Sequence, residues 1–216
     1  MRLQSFGSCV VVAALAGAGA SCGQYVQDQG RSPSQLVINS LVGIPGDSPS
    51  AKSSTMISDV DTVVTEPEPQ CSTDHPCHTW LNDTGEATFS VFLKDPLTAG
   101  TTNEPSVINN VTLTQYHVEF KRSDGRNTQG VDVPYAFDSA VTVTVPATGT
   151  ATVAFDLVRH DAKKESPLIS LACTTSCPPM ISTIAEVTFY GRDQAGNNVS
   201  AKGTIGVTFG DISRSK

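Results

Sequence analysis

"AVTVTVPATGTATVAFDLVR", residues 140–159, consists of two alternating segments on either side of a short turn. In each segment an apolar side chain recurs at every second position: Val141, Val143 and Val145, then Val153, Phe155 and Leu157. Because successive side chains of a strand point to opposite faces, this period predicts one buried and one solvated face per strand. The intervening "PATGT" fits a hairpin turn. The buried faces need covering, so the stretch predicts two sheets packed face to face.

Short runs rich in Val, Ile, Thr and Phe occur along most of the chain, separated by Gly, Pro, Asp and Asn, and none has a helical period. The predicted strands are residues 35–42, 56–64, 86–94, 110–122, 140–146, 150–159, 181–192 and 199–210. The sequence therefore predicts an all-β chain in which residues 35–216 form a single domain.

The stretch "AEVTFYGRDQAGNNVSAKGTIGVTFGD", residues 185–211, resembles the closing hairpin of bacterial immunoglobulin-like modules. An aromatic strand runs into a "D-x-A-G-N" turn, and a last strand alternates small and apolar residues. The resemblance implies one immunoglobulin-like antiparallel β-sandwich of about seven or eight strands. Neither cysteine pair lies within a predicted strand, and the only tryptophan, Trp80, lies in a predicted loop. The core is therefore expected to depend on aliphatic and Phe packing.

Residues 1–21 have the layout of a secretory signal peptide: Arg2, then the apolar "VVVAALAGAGA", then small residues before Cys22. Ala20-Ser21-Cys22 resembles the lipobox of bacterial lipoproteins, although Gly19 stands where that family usually has Leu. The resemblance implies that Cys22 is acylated and that the protein is an exported lipoprotein of the outer membrane or cell surface. Cleavage after Ala20 by an ordinary signal peptidase is the alternative.

The number of cysteines favours acylation. Cys9 leaves with the signal peptide, so the exported chain retains five cysteines: Cys22, Cys71, Cys77, Cys173 and Cys177. An odd number leaves one thiol unpaired in an oxidising compartment, whereas acylation of Cys22 leaves four. Residues 22–34 then form the anchor and a tether without periodicity, and a flexible chain of about 12 residues spans on the order of 20 Å.

Two further segments concentrate cysteine and histidine: "CSTDHPCHTW", residues 71–80, and "CTTSCPP", residues 173–179. Four cysteines allow three disulfide connectivities, and the local bridges Cys71–Cys77 and Cys173–Cys177 are the preferred arrangement in an exported protein. A zinc site built from these thiolates and imidazoles is the alternative.

Composition and motifs argue against two functional classes. With 14 basic and 21 acidic side chains, the chain lacks the basic surface that nucleic-acid binding requires, and Lys163-Lys164 is interpreted as a pair of solvated loop charges. Neither "G-x-S-x-G" nor "H-E-x-x-H" occurs. His160-Asp161 follow a predicted strand, where neighbouring side chains diverge, and are interpreted as a surface pair. No catalytic residue, metal ligand or cofactor is therefore predicted; Asp193 with Asn197 suits a turn better than a calcium site.

The sequence thus predicts a non-catalytic cell-envelope lipoprotein that acts as a binding or structural module. A zinc-dependent or other secreted hydrolase that uses the Cys/His-rich loops, and a purely structural spacer, are the alternatives. Three long connections, residues 65–85, 123–139 and 160–180, are expected at one end of the sandwich, where long ordered loops suit binding. The predicted binding residues there are Trp80, Tyr135, Phe137, His75 and His78. The expected partners are the membrane, through the lipid anchor, and an envelope protein or glycan.

Replacing Cys22 tests the anchor. Cys22→Ser removes the only acylation site that the lipobox resemblance implies, so this variant is expected to leave the membrane fraction and lose detergent partitioning. Cys9→Ser, inside the predicted signal peptide, is the matched control and should partition as the wild type does. Unchanged detergent partitioning of Cys22→Ser contradicts the predicted anchor.

Overall fold

Strands dominate the computed structural model, which describes residues 31–66, 70–72, 74–95, 97–98, 101–102, 104–172 and 179–212. The longer strands are β1 (Ser34–Ile44), β5 (Asp83–Leu93), β8 (Val111–Lys121), β9 (Phe137–Val145), β10 (Thr150–Val158), β11 (Ile181–Asp193) and β12 (Asn198–Gly210). The shorter strands are β2 (Thr55–Asp59), β3 (Thr62–Val64), β4 (Cys77–Thr79), β6 (Leu97–Thr98) and β7 (Thr101–Thr102). The helices are α1 (His160–Lys163) and 3-10 helices at Val107–Asn109 and Leu168–Leu171. None of these helices is long or apolar enough to span a bilayer.

Two larger sheets contain most of the strands. One has the order β1-β5-β10 and the other β2-β12-β11-β8-β9, whereas β3-β4 and β6-β7 form separate two-stranded pairs. All neighbours pair antiparallel except β2, which lies parallel to β12. The prediction of an all-β fold is confirmed.

Alternating side chains from both sheets form one core. In β9 the predicted apolar face is the inner one, with Val141 and Val145 buried and Val143 partly buried. At the centre, four aromatic rings from the two sheets meet edge to face or tilted: Phe89, Phe155, Tyr116 and Phe189. The Phe189 ring lies 4.8 Å from that of Phe89 and 5.2 Å from that of Phe155, centroid to centroid. The core thus depends on aliphatic and aromatic packing, as predicted.

One polar bond joins the sheets inside this cluster. Tyr116 is 2% exposed on β8, and its hydroxyl accepts a hydrogen bond from the backbone N–H of Asp156 on β10 at 3.1 Å. The bond gives the buried hydroxyl a partner from the opposite sheet. It also fixes how the five-stranded sheet lies over the three-stranded sheet.

The predicted strands correspond to observed ones, with three differences. The predicted strand 56–64 is divided into β2 and β3, because the chain bends at Val60 and Asp61. The short strands β4, β6 and β7 lie outside the predicted segments. His160 and Asp161 begin helix α1 instead of ending a strand, so their side chains meet, with His160 Nε2 3.0 Å from Asp161 Oδ1.

The alternation of strand direction gives the sandwich two distinct ends. The end where β1 begins, which we call the N-terminal pole, carries the connections 94–110, 146–149 and 194–197. At the opposite end, which we call the loop pole, β8 and β10 end and β5, β9 and β11 begin, so the described parts of the connections 60–82, 122–136 and 159–180 lie there. The three long connections predicted to share one end therefore belong to the loop pole.

Buried hydrogen bonds fix the chain where it joins the N-terminal pole. Ser32 and Ser34 are 1% and 0% exposed. The Ser32 hydroxyl donates to Asp193 Oδ2 at 2.8 Å, and the Ser34 hydroxyl donates to the carbonyl of Asn109 at 3.1 Å. Burial acts to raise the pKa of Asp193, but hydrogen bonds from Asn197 and Ser32 outweigh it and hold the pKa below its ordinary value. Asp193 and Asn197 thus bond to each other within the last hairpin.

Truncating the central ring tests the core. Phe189→Ala removes a fully buried ring that contacts three others, and the cavity left behind should lower the free energy of unfolding by about 3–5 kcal/mol. Phe92→Ala, at a position that is 56% exposed, is the matched control and should cost less than about 1 kcal/mol. Urea unfolding followed by fluorescence measures both, and equal losses would contradict this core.

Candidate functional site: the loop pole

A disulfide bond closes one loop of this pole. Cys71 and Cys77 are joined, with Cα atoms 5.2 Å apart, as the preferred local pairing predicted. Cys77 belongs to β4, which pairs with β3 through residues Thr62–Val64. The bridge and the hairpin together shape the segment that leads to Trp80. The other predicted cysteine positions, Cys22, Cys173 and Cys177, lie outside the described residues.

A buried ion pair holds the loops together. Asp83 begins β5, Lys163 ends α1, and their side chains are each 1% exposed, with Nζ 3.0 Å from Oδ2. The Ser58 hydroxyl also donates to Oδ2, and the backbone N–H of Gly46 donates to Oδ1 at 2.8 Å. Lys163 is therefore a structural cation, and its interpretation as a solvated loop charge is corrected.

Burial raises the pKa of the Asp83 carboxyl above its ordinary value of 3.8. The ammonium of Lys163 and the hydrogen bonds from Ser58 and Gly46 lower it again, but only in part. The folded protein therefore holds the Asp83 proton more tightly than the unfolded chain does. The contribution of this group to stability is fully present below pH 3.8 and falls as the pH rises through the folded-state pKa.

Further contacts lie on both sides of the ion pair, and we call them and the ion pair together the junction. The backbone N–H of His160 donates to Asn82 Oδ1 at 2.6 Å, and His160 Nδ1 lies 2.9 Å from the same oxygen. The Arg159 guanidinium lies over the Phe137 ring, 4.2 Å from its centroid. The beginning of the 159–180 connection is thus packed against Asn82 of the 60–82 connection and against Phe137 at the start of β9.

An open cavity of about 430 Å³ lies on the outside of this junction. Its described lining is Tyr135, Arg159, Asp161, Ala162, Lys164 and Glu165. Tyr135 is 52% exposed, and Gly130, at a φ of 75°, lies beneath its ring where a Cβ atom would collide with it. Trp80 is half-buried nearby, with the Lys164 ammonium 5.4 Å from its ring centroid. The concave surface is therefore lined by an aromatic ring, that of Tyr135, together with cationic and carboxylate side chains.

The predicted binding residues divide into three groups. Tyr135 and Trp80 lie at the cavity or beside it. Phe137 is only 7% exposed and packs 6.2 Å from the Tyr116 ring, so its assignment as a binding residue is corrected: it is a core residue of β9. His75 lies in a turn closed by Ser72, and His78 Nδ1 lies 3.2 Å from Asp61 Oδ1. Neither histidine is part of the described cavity lining.

None of the polar lining residues was a predicted binding residue, and Asp161 and Lys164 were interpreted only as surface charges. Arg159, Asp161, Lys164 and Glu165 come from one charged run, "RHDAKKE", in a chain whose charged fraction is only 16%. That local enrichment was the signal that could have found them. The lining offers hydrogen-bond donors, acceptors and an aromatic face, which are the groups that orient a polar ligand.

The described residues of the Cys/His segments do not form the alternative zinc site. The sulfur atoms of Cys71 and Cys77 are joined to each other, so they are not thiolates that could bind zinc. Within the described ranges, no group of three or more His, Cys, Asp and Glu side chains is placed to hold a metal ion.

Removing the buried cation tests the junction. Lys163→Met leaves Asp83 buried without its partner, so the free energy of unfolding at pH 7 should fall by about 3–5 kcal/mol. The loss should shrink as the pH falls toward 4, because protonation of Asp83 removes the uncompensated charge. Lys164→Met, whose side chain is 44% exposed, is the matched control and should cost less than about 1 kcal/mol. A loss in Lys163→Met that stays constant with pH in urea titrations contradicts this role.

Comparisons with known proteins do not assign this surface. The chain matches no protein-family model, no curated protein and no solved structure. Its function is therefore inferred from the two poles of the sandwich and the side chains that they carry.

Proposed function

We propose that the domain is an immunoglobulin-like sandwich. Seven long strands in a three-plus-four arrangement, with β2 added at the edge of the larger sheet, support this assignment. The first part of the chain contributes to both sheets, since β1 pairs with β5 and β2 with β12. The chain also crosses between sheets from β5 to β8, from β9 to β10 and from β10 to β11, which is typical of Greek-key sandwiches.

We further propose that the protein is a non-catalytic, exported lipoprotein of the outer membrane or cell surface, acylated at Cys22, whose loop pole binds an envelope protein or glycan. One observation carries the proposal: the predicted tether joins the domain at the N-terminal pole, opposite the loop pole. An anchor at Cys22 therefore attaches the domain to the membrane by the pole that is farther from the loop pole.

The dimensions of the domain support this arrangement. Strand β12 has 13 residues, and at about 3.3 Å per residue such a strand separates the two poles by roughly 40 Å. Ser32 and Ser34 of the predicted tether are bonded into the domain, so only about nine residues after Cys22 precede it, and a flexible chain of that length adds on the order of 15–20 Å of reach. When the strands point away from the membrane, the cavity at the loop pole is thus presented well beyond the lipid headgroups.

The chemistry of the cavity favours a polar ligand with an apolar face. Tyr135 supplies an exposed ring on which a sugar or a peptide side chain can pack. Arg159 and Lys164 can donate hydrogen bonds to such a ligand, and Asp161 and Glu165 can accept them. The disulfide bond and the buried ion pair hold the surrounding loops in shape, which reduces the entropy lost on binding.

Site-specific photo-cross-linking in living cells tests the binding surface. A photoreactive phenylalanine analogue in place of Tyr135 is expected to form discrete adducts with an envelope protein or to become glycan-linked. The same analogue in place of Thr204, exposed on the outer face of β12, is the control and should not form these adducts. Arg159→Ala combined with Glu165→Ala should remove the Tyr135 adducts by deleting one hydrogen-bond donor and one acceptor from the cavity lining.

The same experiment separates binding from a purely structural role. A spacer has no preferred contact surface, so its cross-linking pattern would be the same at positions 135 and 204. Identical patterns at the two positions, or adducts that persist in the double alanine variant, contradict the proposed binding function.

A further inference from the structure

The N-terminal pole exposes large apolar side chains to solvent. Val107 and Ile108, in the 3-10 helix, are 76% and 62% exposed, and Phe92 near the end of β5 is 56% exposed. Phe92 and Pro105 also line an apolar cavity of about 440 Å³. We call Phe92, Val107 and Ile108 the apolar rim. Large apolar side chains that share one exposed region typically mark a contact with another molecule or with lipid.

The apolar rim lies beside the point where the predicted tether joins the domain. Asn109, which follows Ile108 directly, accepts the hydrogen bond of the Ser34 hydroxyl through its carbonyl. Asn110 in turn accepts a hydrogen bond from the backbone N–H of Ala147, which belongs to the lining of the apolar cavity. The start of β1, the 3-10 helix and the turn before β10 are thus bonded to one another.

We propose that the N-terminal pole rests on the bilayer that holds the anchor, with the apolar rim inserted at the interface between headgroups and acyl chains. This inference rests on the proposed lipoprotein function. The occupant follows from the position of the rim, because a chain acylated at Cys22 keeps this pole within on the order of 20 Å of the phospholipid surface. Confinement at that distance gives the rim a high effective concentration of lipid, so weak apolar contacts become populated.

Insertion of the rim gives the lipoprotein a defined orientation. An acyl anchor and a flexible tether alone let the domain take any angle to the membrane. Contacts at Phe92, Val107 and Ile108 turn the strands toward the membrane normal, since all three lie at one end of the strands. The cavity of the loop pole then faces outward.

Quenching of tryptophan fluorescence by brominated lipid tests the inference. The chain has a single tryptophan, so Val107→Trp in a Trp80→Phe background places the only indole in the rim. The acylated full-length chain is reconstituted into phosphatidylethanolamine and phosphatidylglycerol vesicles whose acyl chains carry bromine. The indole at position 107 is expected to lose most of its emission, whereas Trp80 of the otherwise unchanged protein, at the loop pole, should lose almost none. Phe92→Trp in the same background is a second reporter that does not alter Val107.

The outcomes distinguish the possible failures. Membrane-bound, acylated protein whose indoles at positions 92 and 107 are quenched no more than Trp80 overturns the inference and leaves the proposed function standing. Detergent partitioning that is unchanged in Cys22→Ser overturns the lipoprotein proposal, and the inference with it. A concentration-dependent shift of rim emission without vesicles, with no further quenching on adding them, identifies a second copy of the chain as the occupant and also overturns the inference.

Discussion

The loop pole depends on one carboxylate and one ammonium that meet out of contact with water. Asp83 lies at the start of a strand in the three-stranded sheet, and Lys163 reaches it from a helix 80 residues further along the chain. Hydrogen bonds from Ser58 on β2 and from Gly46, after β1, bind two more segments to the same carboxylate. Such a pair is a weak source of net stability because both charges lose their hydration. We expect its effect to be specificity, because the two charges are paired only when these segments meet.

The aromatic cluster performs a different task at the centre of the molecule. Phe89, Phe155, Tyr116 and Phe189 join the two sheets by non-directional burial, with one hydrogen bond to set their alignment. Because the centre supplies this burial, the poles are free to carry polar or exposed groups. The charged lining around Tyr135 and the exposed Val107 and Ile108 are at opposite ends of the sandwich. An apolar centre with polar or exposed groups at its two ends suits a scaffold whose ends contact different molecules.

Local periodicity made most of the fold predictable, and long-range contacts account for the differences. The long strands were found because alternation is visible within one segment, as at Val141, Val143 and Val145. Strands of two or three residues, such as β4 and β6, have too few positions to show a period. The burial of Lys163 depends on a partner from another element, which no window of sequence contains. Phe137 was assigned to a loop because β9 begins three residues before the predicted boundary, and that shift moved its ring from the surface to the core.

The antiparallel pairing of β1 with β5 has a mechanical consequence. Ten residue pairs, from Ser34 with Leu93 to Ile44 with Thr84, join these strands along almost their whole length. A pull between an anchor that precedes Ser34 and a ligand held at the opposite end acts parallel to the strands, whereas the hydrogen bonds lie across them. The bonds are then loaded in shear and share the force, instead of opening one after another from an end. A domain tethered in this way resists extension along the direction in which a ligand fixed to another surface would stretch it.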